Sequence, residues 1–356
     1  MSKILIAPLD WGLGHATRMI PIIQYLKECG CEIIIAADGS QQKLLYYEFP
    51  LLQQIHLKGY NISYANNKRF FSLKILFQTP KLFFRIYKEH KWLKKIIKQY
   101  KIDCVISDNR YGLWTNKIPC IFITHQLQIQ APNFWIEKVL QKVNYFYINR
   151  FSQCWIPDFE TTTNIAGRLS HPLKLPKISV QYLGALSRFK MQLTKEKKYD
   201  LLIILSGPEP QRSAFEKKLL QLISQLKNVV LLVRGKPGSD AKFAALNNCI
   251  VVNHLTTIQM QQAFAQSEFV LSRSGYTTIM EILSMKKKSI LIPTPGQTEQ
   301  EYLGKHLMKQ HWCYSFNENE NMLQHLHKAK VFEYKFPEFT ANQFQKIMDD
   351  FLNKSS

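Results

Sequence analysis

Short runs of aliphatic residues alternate along most of the chain with stretches whose apolar residues recur at helical spacing. The first run, Ile4 to Pro8, is followed by a loop and then by a helical pattern from about His15 to Glu28. Such alternation is typical of parallel sheets whose strands are joined by crossover helices. The pattern therefore predicts an α/β protein.

The alternation is interrupted once, near the middle of the chain. After Gly184 the sequence becomes polar and charged, and a second strand–helix series begins at Leu201. Because 356 residues exceed what one hydrophobic core usually serves, we predict two tandem Rossmann-like domains, 1–184 and 185–338, with a cleft between them. We expect the last residues, 339–356, to form a C-terminal helix that packs back on the first domain.

Ligands of parallel sheets bind at the carboxyl ends of the strands, so the polar residues that follow each predicted strand are candidate site residues. In the first domain these include Asp10, Gly12, Gly14, His15, Asp108, Arg110 and His125. In the second domain they include Ser206, Gly207, Arg212, His254, Arg273, Ser274, Gly275, Thr277, Gln297, Glu299 and Gln300. The sequence thus predicts two polar rims that face one cleft.

The composition, with 46% hydrophobic and 21% charged residues, is that of a globular protein. No apolar run approaches the roughly 18 residues that span a bilayer, and the amino terminus lacks the layout of a signal peptide. The seven cysteines form no C-x-x-C pair, which favours reduced thiols over disulfides or a zinc site. We therefore expect a cytoplasmic protein without a bound metal.

The net charge of +21 calls for an anionic partner, and its distribution is uneven. Residues 58–101 contain twelve Lys and Arg against the single acid Glu89. Within this basic segment Thr79 and Pro80 read as the N-cap and first residue of an amphipathic helix. Its apolar stripe is expected to pack on the first domain's sheet. Its lysines are either merely solvated or dock on an anionic membrane surface.

The segment Gly12-Leu13-Gly14-His15 lies at the start of the first helix. Thr17 stands where a dinucleotide-binding fingerprint requires a third small residue, which argues against NAD. His15 at a helix amino terminus is kept neutral by the helix dipole, so its ring could accept a proton. Asp108, or else Asp10, could orient that ring. The alternative is that His15 simply caps the helix.

The segment Ser272 to Glu281 is a small-residue loop that leads into a second helix. The free N–H groups of such a helix start suit phosphate, and Glu281 lies two turns beyond Ser274 on the same face, where it could reach ribose hydroxyls. The turn from Pro293 to Glu301 offers amide and carboxylate groups that suit sugar hydroxyls. This arrangement indicates a nucleoside-diphosphate sugar.

The pattern S-x-S-G-x-x-T-x-x-E, then a strand, then P-x-P-x-x-x-x-Q resembles the donor-site signature of GT-B glycosyltransferases, especially glycosyltransferase family 28. That family includes the enzyme that adds N-acetylglucosamine to the lipid-linked peptidoglycan precursor. The amino-terminal strand-G-x-G-H-helix pattern is similar to the first loop of the same family, and to that of a UDP-sugar hydrolase of the same fold. The resemblance implies the GT-B fold, with the acceptor bound by the first domain and the nucleotide sugar by the second.

The resemblance also implies roles for the phosphate and ribose contacts. Ser274, Gly275 and Thr277 would cradle the diphosphate, and Glu281 would hold the ribose. The family usually has two adjacent glycines where this chain has Arg273-Ser274, so Arg273 is expected either to add a phosphate-binding cation or to alter the choice of donor.

Further donor contacts follow from the same resemblance. Gln297, Glu299 and Gln300 would read the donor sugar, and His254 would lie near the base. Apart from the resemblance, the small-residue loop that opens the second domain, with Ser206, Gly207 and the cation Arg212, is a candidate for phosphate contact, and Gly14 of the first domain is assigned to the donor side. Asp10, Gly12, Arg110 and His125 are assigned to the acceptor side.

These observations predict an inverting glycosyltransferase that moves a sugar from a UDP-sugar to an acceptor hydroxyl in cell-envelope or surface glycan synthesis. His15 and Asp108 would be catalytic, and no cofactor besides the UDP-sugar substrate is expected. A glycan or lipid-linked acceptor is expected, with the protein cytoplasmic or peripheral on the inner face of the membrane. The alternative is a nucleotide-sugar hydrolase or epimerase. Nucleic-acid binding is disfavoured because no recognised motif for it is present.

Overall fold

The structure, a computed structural model, describes residues 2–60, 68–131, 133–191, 196–241, 243, 248–339 and 343–355, with the side chains of 68–79, 354 and 355 left out. Residues 61–67 of the basic segment therefore lie outside the described part. The predicted α/β fold is confirmed, because each half of the chain forms a parallel sheet flanked by helices.

The first sheet has seven parallel strands in the order β3-β2-β1-β4-β5-β6-β7. Pro8 and Asp108 are partners at the carboxyl ends of the neighbouring strands β1 and β4. The elements of this half are β1 Lys3–Pro8, α1 Leu13–Glu28, β2 Glu32–Ala37, α2 Gly39–Glu48, β3 Gln53–His56, α3 Lys68–Tyr100, β4 Cys104–Asp108, β5 Cys120–Ile123, α4 Phe134–Ile148, β6 Gln153–Ile156 and β7 Ser179–Tyr182, with a short 3-10 helix at Gly167–Leu169.

The second sheet has six parallel strands in the order β10-β9-β8-β11-β12-β13. The first strand of this sheet in the chain, β8 (Tyr199–Ile204), lies inside the sheet. The strand order changes direction there, because β9 pairs with one side of β8 and β11 with the other. The elements are β8 Tyr199–Ile204, α5 Gln211–Ile223, β9 Val230–Val233, β10 Cys249–Val252, α6 Thr257–Gln266, β11 Ser267–Ser272, α7 Tyr276–Ser284, β12 Lys288–Leu291, α8 Thr298–Lys309, β13 Tyr314–Ser315 and α9 Met322–Val331.

The last helix, α10 Phe344–Ser355, packs against the first domain. The Phe351 ring meets the buried Trp155 ring edge-on at 5.3 Å, and Phe344 meets Tyr25 at 5.4 Å. The Tyr25 hydroxyl donates to the Asp349 carboxylate at 2.5 Å. The carboxyl terminus thus covers part of the amino-terminal domain's core.

The prediction for the start of α3 is wrong. The helix begins at Lys68, and Pro80 lies inside it, so Thr79 is not an N-cap. A proline inside a helix loses one backbone hydrogen bond and crowds the carbonyl four residues earlier, so packing of the helix on the rest of the protein must offset that cost for the helix to continue. Beyond Pro80 the apolar stripe is buried, as at Leu93 and Ile96, whereas the side chains of Lys88, Lys91, Lys94, Lys95 and Lys98 are exposed.

None of the described helices combines the length and the apolar character needed to cross a membrane.

Candidate functional site

The amino-terminal ends of α1 and α7 meet between the two domains. Gly12 precedes α1 with a φ of 91°, and Gly275 precedes α7. The Thr277 hydroxyl donates to the Gly14 carbonyl oxygen at 3.0 Å. A Cβ added at Gly14 would lie only 3.1 Å from that hydroxyl, so glycine permits the approach. Two positive helix ends therefore converge on one place.

The space in front of these helix ends is open. A Cβ added at Gly275 or at Gly207 would meet no atom within 4 Å. A Cβ at Gly12 would lie 3.9 Å from the Gly207 Cα atom, so the loop after β8, with Ser206 and Gly207, faces the loop after β1. Backbone from three loops thus surrounds a space suited to an anion.

His15 lies at this junction, on the first turn of α1. Its Nδ1 atom is 3.1 Å from Asp108 Oδ2, as expected from the sequence. The Asp108 side chain is fully buried, whereas 16% of the His15 side chain is exposed. Asp10, the other candidate for orienting His15, instead accepts the Tyr60 backbone N–H at 2.9 Å.

Burial and neighbouring charges fix the ionisation of this pair. Burial lowers the pKa of His15, which outweighs the opposing effect of Asp108, and Arg18 lowers it further. Burial disfavours the Asp108 carboxylate, but Arg18 and His15 lower the Asp108 pKa to about 2. The pair is therefore a neutral imidazole beside a carboxylate.

Arg18 is a site residue that the sequence analysis missed. It is 2% exposed, and both its Nε and Nη2 atoms donate to the Asp108 carboxylate, with Nε at 2.7 Å. Its Nη2 atom also lies 2.7 Å from His15 Nδ1. The sequence does contain a feature that points to Arg18, because an arginine lies one helical turn after His15 on an otherwise apolar helix face.

His125 joins the first domain to the second. Its Nε2 atom lies 2.7 Å from Glu299 Oε1 on α8, and its ring stacks on the Tyr276 ring at 4.0 Å. Its Nδ1 atom lies 3.3 Å from Arg18 Nη1. The Tyr276 hydroxyl donates to the Pro157 carbonyl across the same interface. His125 and Glu299, assigned to opposite substrates from the sequence, are direct partners.

Glu281 lies on α7 as predicted, but its carboxylate is already bonded to an arginine. Its carboxylate accepts from Arg188 Nε at 2.7 Å, and both side chains are almost fully buried. Arg188 Nη1 is also 4.0 Å from Glu48 of α2. Burial raises the pKa of Glu281, although Arg188 opposes the rise. Arg188 lies in the polar linker, where nothing in the sequence singled it out.

The turn before α8 is held by its own amide groups. The Thr294 backbone N–H donates to Gln300 Oε1 at 2.9 Å, and Gln300 Nε2 donates to Gln297 Oε1 at 2.6 Å. The Ser274 hydroxyl donates to the Gln300 carbonyl oxygen at 2.8 Å. The loop before α7 and the predicted sugar-reading turn are thus bonded together.

His254, after β10, lies near Arg188 and the Tyr47 ring. Burial and the Arg188 charge lower the pKa of His254 to about 4, so its ring is neutral. Its Nε2 atom is buried and has no hydrogen-bond partner within the described part of the chain.

The expectation that Arg110 faces an acceptor needs correction. Its side chain is fully buried, with Nη1 2.6 Å from Glu89 and Nε donating to the Pro8 carbonyl at 2.8 Å. Glu89 is the single acid of the basic segment, so its role is to neutralise this buried guanidinium. A buried charge must be paired, and these partners occupy Arg110 inside its own domain.

The expectation for Arg212 and Arg273 as phosphate-binding cations is corrected in the same way. Arg212 is 4% exposed and pairs with Glu209 at 2.7 Å and Glu216 at 3.0 Å. Arg273 is 3% exposed and pairs with Glu318 at 2.7 Å. Both cations are neutralised within the second domain, which leaves the helix ends as the candidate groups for binding an anion.

Among the described residues, no group of three or more His, Cys, Asp or Glu side chains is placed to hold a metal ion.

Known proteins resemble this chain in sequence and in fold. Residues 212–347 match the glycosyltransferase family 28 C-terminal domain, which confirms the resemblance in the second half of the chain. The fold is similar to the crystal structure of Acinetobacter baumannii MurG, with a TM-score of 0.56, 13% identity and 99% of each chain covered. The chain is a glycosyltransferase with the GT-B fold.

Other proteins that are similar to this chain are also named as glycosyltransferases. The crystal structure of the glycotransferase of kitacinnamycin matches with a TM-score of 0.61 and 12% identity, over 92% of this chain and 89% of the other. In sequence, the chain is 25% identical over 335 residues to the UDP-N-acetylglucosamine--N-acetylmuramyl-(pentapeptide) pyrophosphoryl-undecaprenol N-acetylglucosamine transferase of Clostridium tetani, covering 82% of this chain and 78% of the relative. The enzyme of that name from Haemophilus ducreyi is 22% identical, over 99% of this chain and 90% of its own length.

Proposed function

We propose that this glycosyltransferase moves a sugar from a UDP-sugar to a hydroxyl group of a lipid-linked acceptor, with inversion at the anomeric carbon. The convergence of the α1 and α7 amino termini beside His15 supports the proposal, because a space suited to an anion then adjoins a half-buried imidazole whose pKa is lowered. The relatives that transfer N-acetylglucosamine from UDP to a lipid-linked precursor support the choice of donor and acceptor.

In this mechanism His15 acts as the general base. The acceptor hydroxyl gives its proton to a ring nitrogen of His15, and its oxygen attacks the anomeric carbon from the face opposite the diphosphate. In the tautomer whose Nδ1–H donates to Asp108, Nε2 carries the free lone pair and is the nitrogen that takes the proton. The bond between the anomeric carbon and the diphosphate oxygen breaks, and the electron pair leaves with UDP.

The departing diphosphate is stabilised by groups of both domains. Backbone N–H groups at Gly275 and Thr277, together with the positive ends of α7 and α1, face the charge that develops on the leaving oxygen. The ribose would bond Glu281, which must then exchange its contact with Arg188 for ribose hydroxyls.

The acceptor side would adjoin a membrane surface. Exposed apolar side chains line α4, namely Phe134, Trp135, Ile136, Val139, Val143 and Phe146, and Phe84 and Tyr87 of α3 are also exposed. The helices touch where Phe83 stacks on Tyr147. We call this face, with the exposed lysines of α3, the α3–α4 surface. Aromatic groups favour the interface of a bilayer, and lysines favour anionic headgroups.

The decisive experiment is product analysis of the purified protein with UDP-N-acetylglucosamine, in the presence and absence of a lipid-linked acceptor. We expect release of UDP that depends on the acceptor and a product carrying the added sugar. Formation of free sugar or of an epimer without acceptor would instead support the hydrolase or epimerase alternative. A His15→Gln variant serves as the catalytic control.

A further inference from the structure

Two groups compete for one ring nitrogen of His15. The Nδ1 atom lies 2.7 Å from Arg18 Nη2 and 3.1 Å from Asp108 Oδ2. Nδ1 can accept a hydrogen bond from Arg18, or it can carry a proton and donate to Asp108. It cannot do both in a neutral ring, because the two roles need opposite tautomers.

The surrounding bonds favour the first role. A guanidinium has only donors, so an Arg18 N–H directed at Nδ1 requires a lone pair there. Asp108 does not depend on His15, because both of its carboxylate oxygens already accept from Arg18, and Asn109 Nδ2 lies 3.2 Å from Oδ1. The shorter of the two distances to Nδ1 is also the one to Arg18.

We propose that Arg18 is a positioning residue that holds His15 in the tautomer with its proton on Nε2. In this state Nε2 is a donor and cannot take a proton from an acceptor hydroxyl. His15 becomes a base only when Arg18 releases Nδ1 and the ring, by exchange with water, loses its proton at Nε2 and gains one at Nδ1, whose N–H then donates a hydrogen bond to the Asp108 carboxylate. Asp108 is thus the partner of the active tautomer and Arg18 the partner of the resting one.

The contacts of Arg18 connect this choice to the second domain. Its Nη1 atom lies 3.3 Å from His125 Nδ1, and His125 Nε2 lies 2.7 Å from Glu299 of α8. The Nε2–H tautomer of His125 satisfies both contacts, donating to Glu299 and accepting from Arg18. The position of Arg18 is therefore tied to α8, the helix that follows the predicted sugar-reading turn.

The tautomer can be measured directly by ¹⁵N NMR of the full-length protein labelled at histidine ring nitrogens. The His15 signals are identified by their loss in His15→Gln. We expect the ligand-free wild type to carry the proton on Nε2. In Arg18→Met we expect Nδ1 to become protonated, since Asp108 is then its remaining partner. In Asp108→Asn the proton should stay on Nε2, because Arg18 is retained.

Other outcomes overturn the inference. If the His15 ring of the wild type carries its proton on Nδ1, that single result overturns the inference, even if Arg18→Met fails to fold. An Arg18→Met ring that keeps its proton only on Nε2 would show that Arg18 does not set the tautomer, and so would an Asp108→Asn ring that carries its proton on Nδ1 although Arg18 is retained.

The consequence for catalysis rests on the proposed base role of His15, but the NMR measurement needs no turnover. If the tautomers are as expected and His15→Gln remains fully active, the proposed function of His15 fails while the role of Arg18 stands.

Discussion

Three arginines lie beyond the carboxyl ends of strands, where a ligand-binding cation would be expected: Arg110, Arg212 and Arg273. Each guanidinium is nevertheless enclosed by groups of its own domain. Leaving such a group buried without its carboxylate costs about 3–5 kcal/mol, so pairing takes precedence over availability to a ligand. At the residue scale, position after a strand identifies residues at the edge of the cleft. It does not tell whether a long side chain points into the cleft or into its own domain.

The first prediction concerns His15. Because a general base contributes about 10²–10⁴-fold, His15→Gln should lower kcat by that factor and leave UDP affinity unchanged. Burial lowers the His15 pKa below its usual value of 6.5, so the neutral ring persists below that pH and wild-type activity should fall only as pH drops through the lowered pKa. The pH profile of kcat/KM checks this. An acid limb centred above 6.5, or one retained in His15→Gln, would contradict it.

The second prediction concerns Glu281. Glu281→Gln should weaken UDP binding by about 1–3 kcal/mol, the usual loss for a hydrogen bond to a charged group. It should also lower the melting temperature, because Arg188 loses its nearest buried partner. Titration calorimetry measures the affinity. Glu48→Gln, which alters the other carboxylate near Arg188, is the matched control and should retain UDP affinity. Equal affinity in all three proteins would remove Glu281 from the site.

At the scale of elements, the site is made mainly by the ends of helices. The loops before α1 and α7 and the loop after β8 contain glycines, and glycine allows the Gly14–Thr277 approach and the open space before Gly275. The proposed anion site thus depends on backbone placement. Side-chain cations are not needed for it, which agrees with the internal pairing of Arg212 and Arg273.

The third prediction tests the α7 end. Gly275 has a φ of −76°, and a Cβ there meets no atom, so Gly275→Ala should fold normally. Its methyl group would occupy the space before the helix, and UDP affinity should fall at least about tenfold, or ~1.4 kcal/mol. Ser284→Ala at the other end of α7 is the control and should bind UDP normally. Unchanged affinity in Gly275→Ala would place the diphosphate elsewhere.

The fourth prediction tests the α3–α4 surface. Wild type should co-sediment with vesicles that contain anionic lipid at low salt and be released at high salt. Replacing Lys91, Lys94, Lys95 and Lys98 by Glu should abolish binding, because each lysine contributes about 1 kcal/mol near such a surface.

A control with the same change in charge separates this surface from net charge alone. In the second domain, Lys305, Lys309, Lys328 and Lys330 are also exposed, and replacing these four by Glu should leave vesicle binding largely intact. Equal loss in both variants would mean that overall charge, and not the α3–α4 surface, drives association. Wild type that stays in the supernatant at low salt would favour a soluble acceptor.

At the scale of the whole molecule, the two halves of the chain are not independent. One apolar cluster includes residues from both sheets and from α10, and His125, Tyr276 and Glu299 form contacts across the cleft. The chain therefore passes through both domains and returns to the first.

The fifth prediction follows from that return. Phe351 is 5% exposed and packs on Trp155, so Phe351→Ala should lower the free energy of unfolding by about 3–5 kcal/mol. Lys346→Ala, at an exposed position of the same helix, should change it by less than about 0.5 kcal/mol. Denaturant titration measures both. A Phe351 variant as stable as the control would mean that α10 contributes little to the first domain.

The sequence by itself determined the features that depend on local periodicity and on position relative to a strand. The alternation of strands and helices gave the α/β class, and the placement of His15, Asp108, Gly275 and Glu281 after strands or at helix starts followed from the same pattern. These features are local, because side-chain period and helix-end chemistry extend over only a few residues.

Only the tertiary structure decided which charges pair. Arg18 with Asp108 and Arg188 with Glu281 are separated by about ninety residues in sequence, and His125 and Glu299 by 174. Position after a strand can bring distant groups to one sheet edge, as for His15 and Asp108, but it does not identify which charges pair, and burial rather than residue type decides whether a charge serves structure or ligand. The start of α3 was misjudged for a related reason, because a proline that fits a helix start also fits within a helix that tertiary packing sustains.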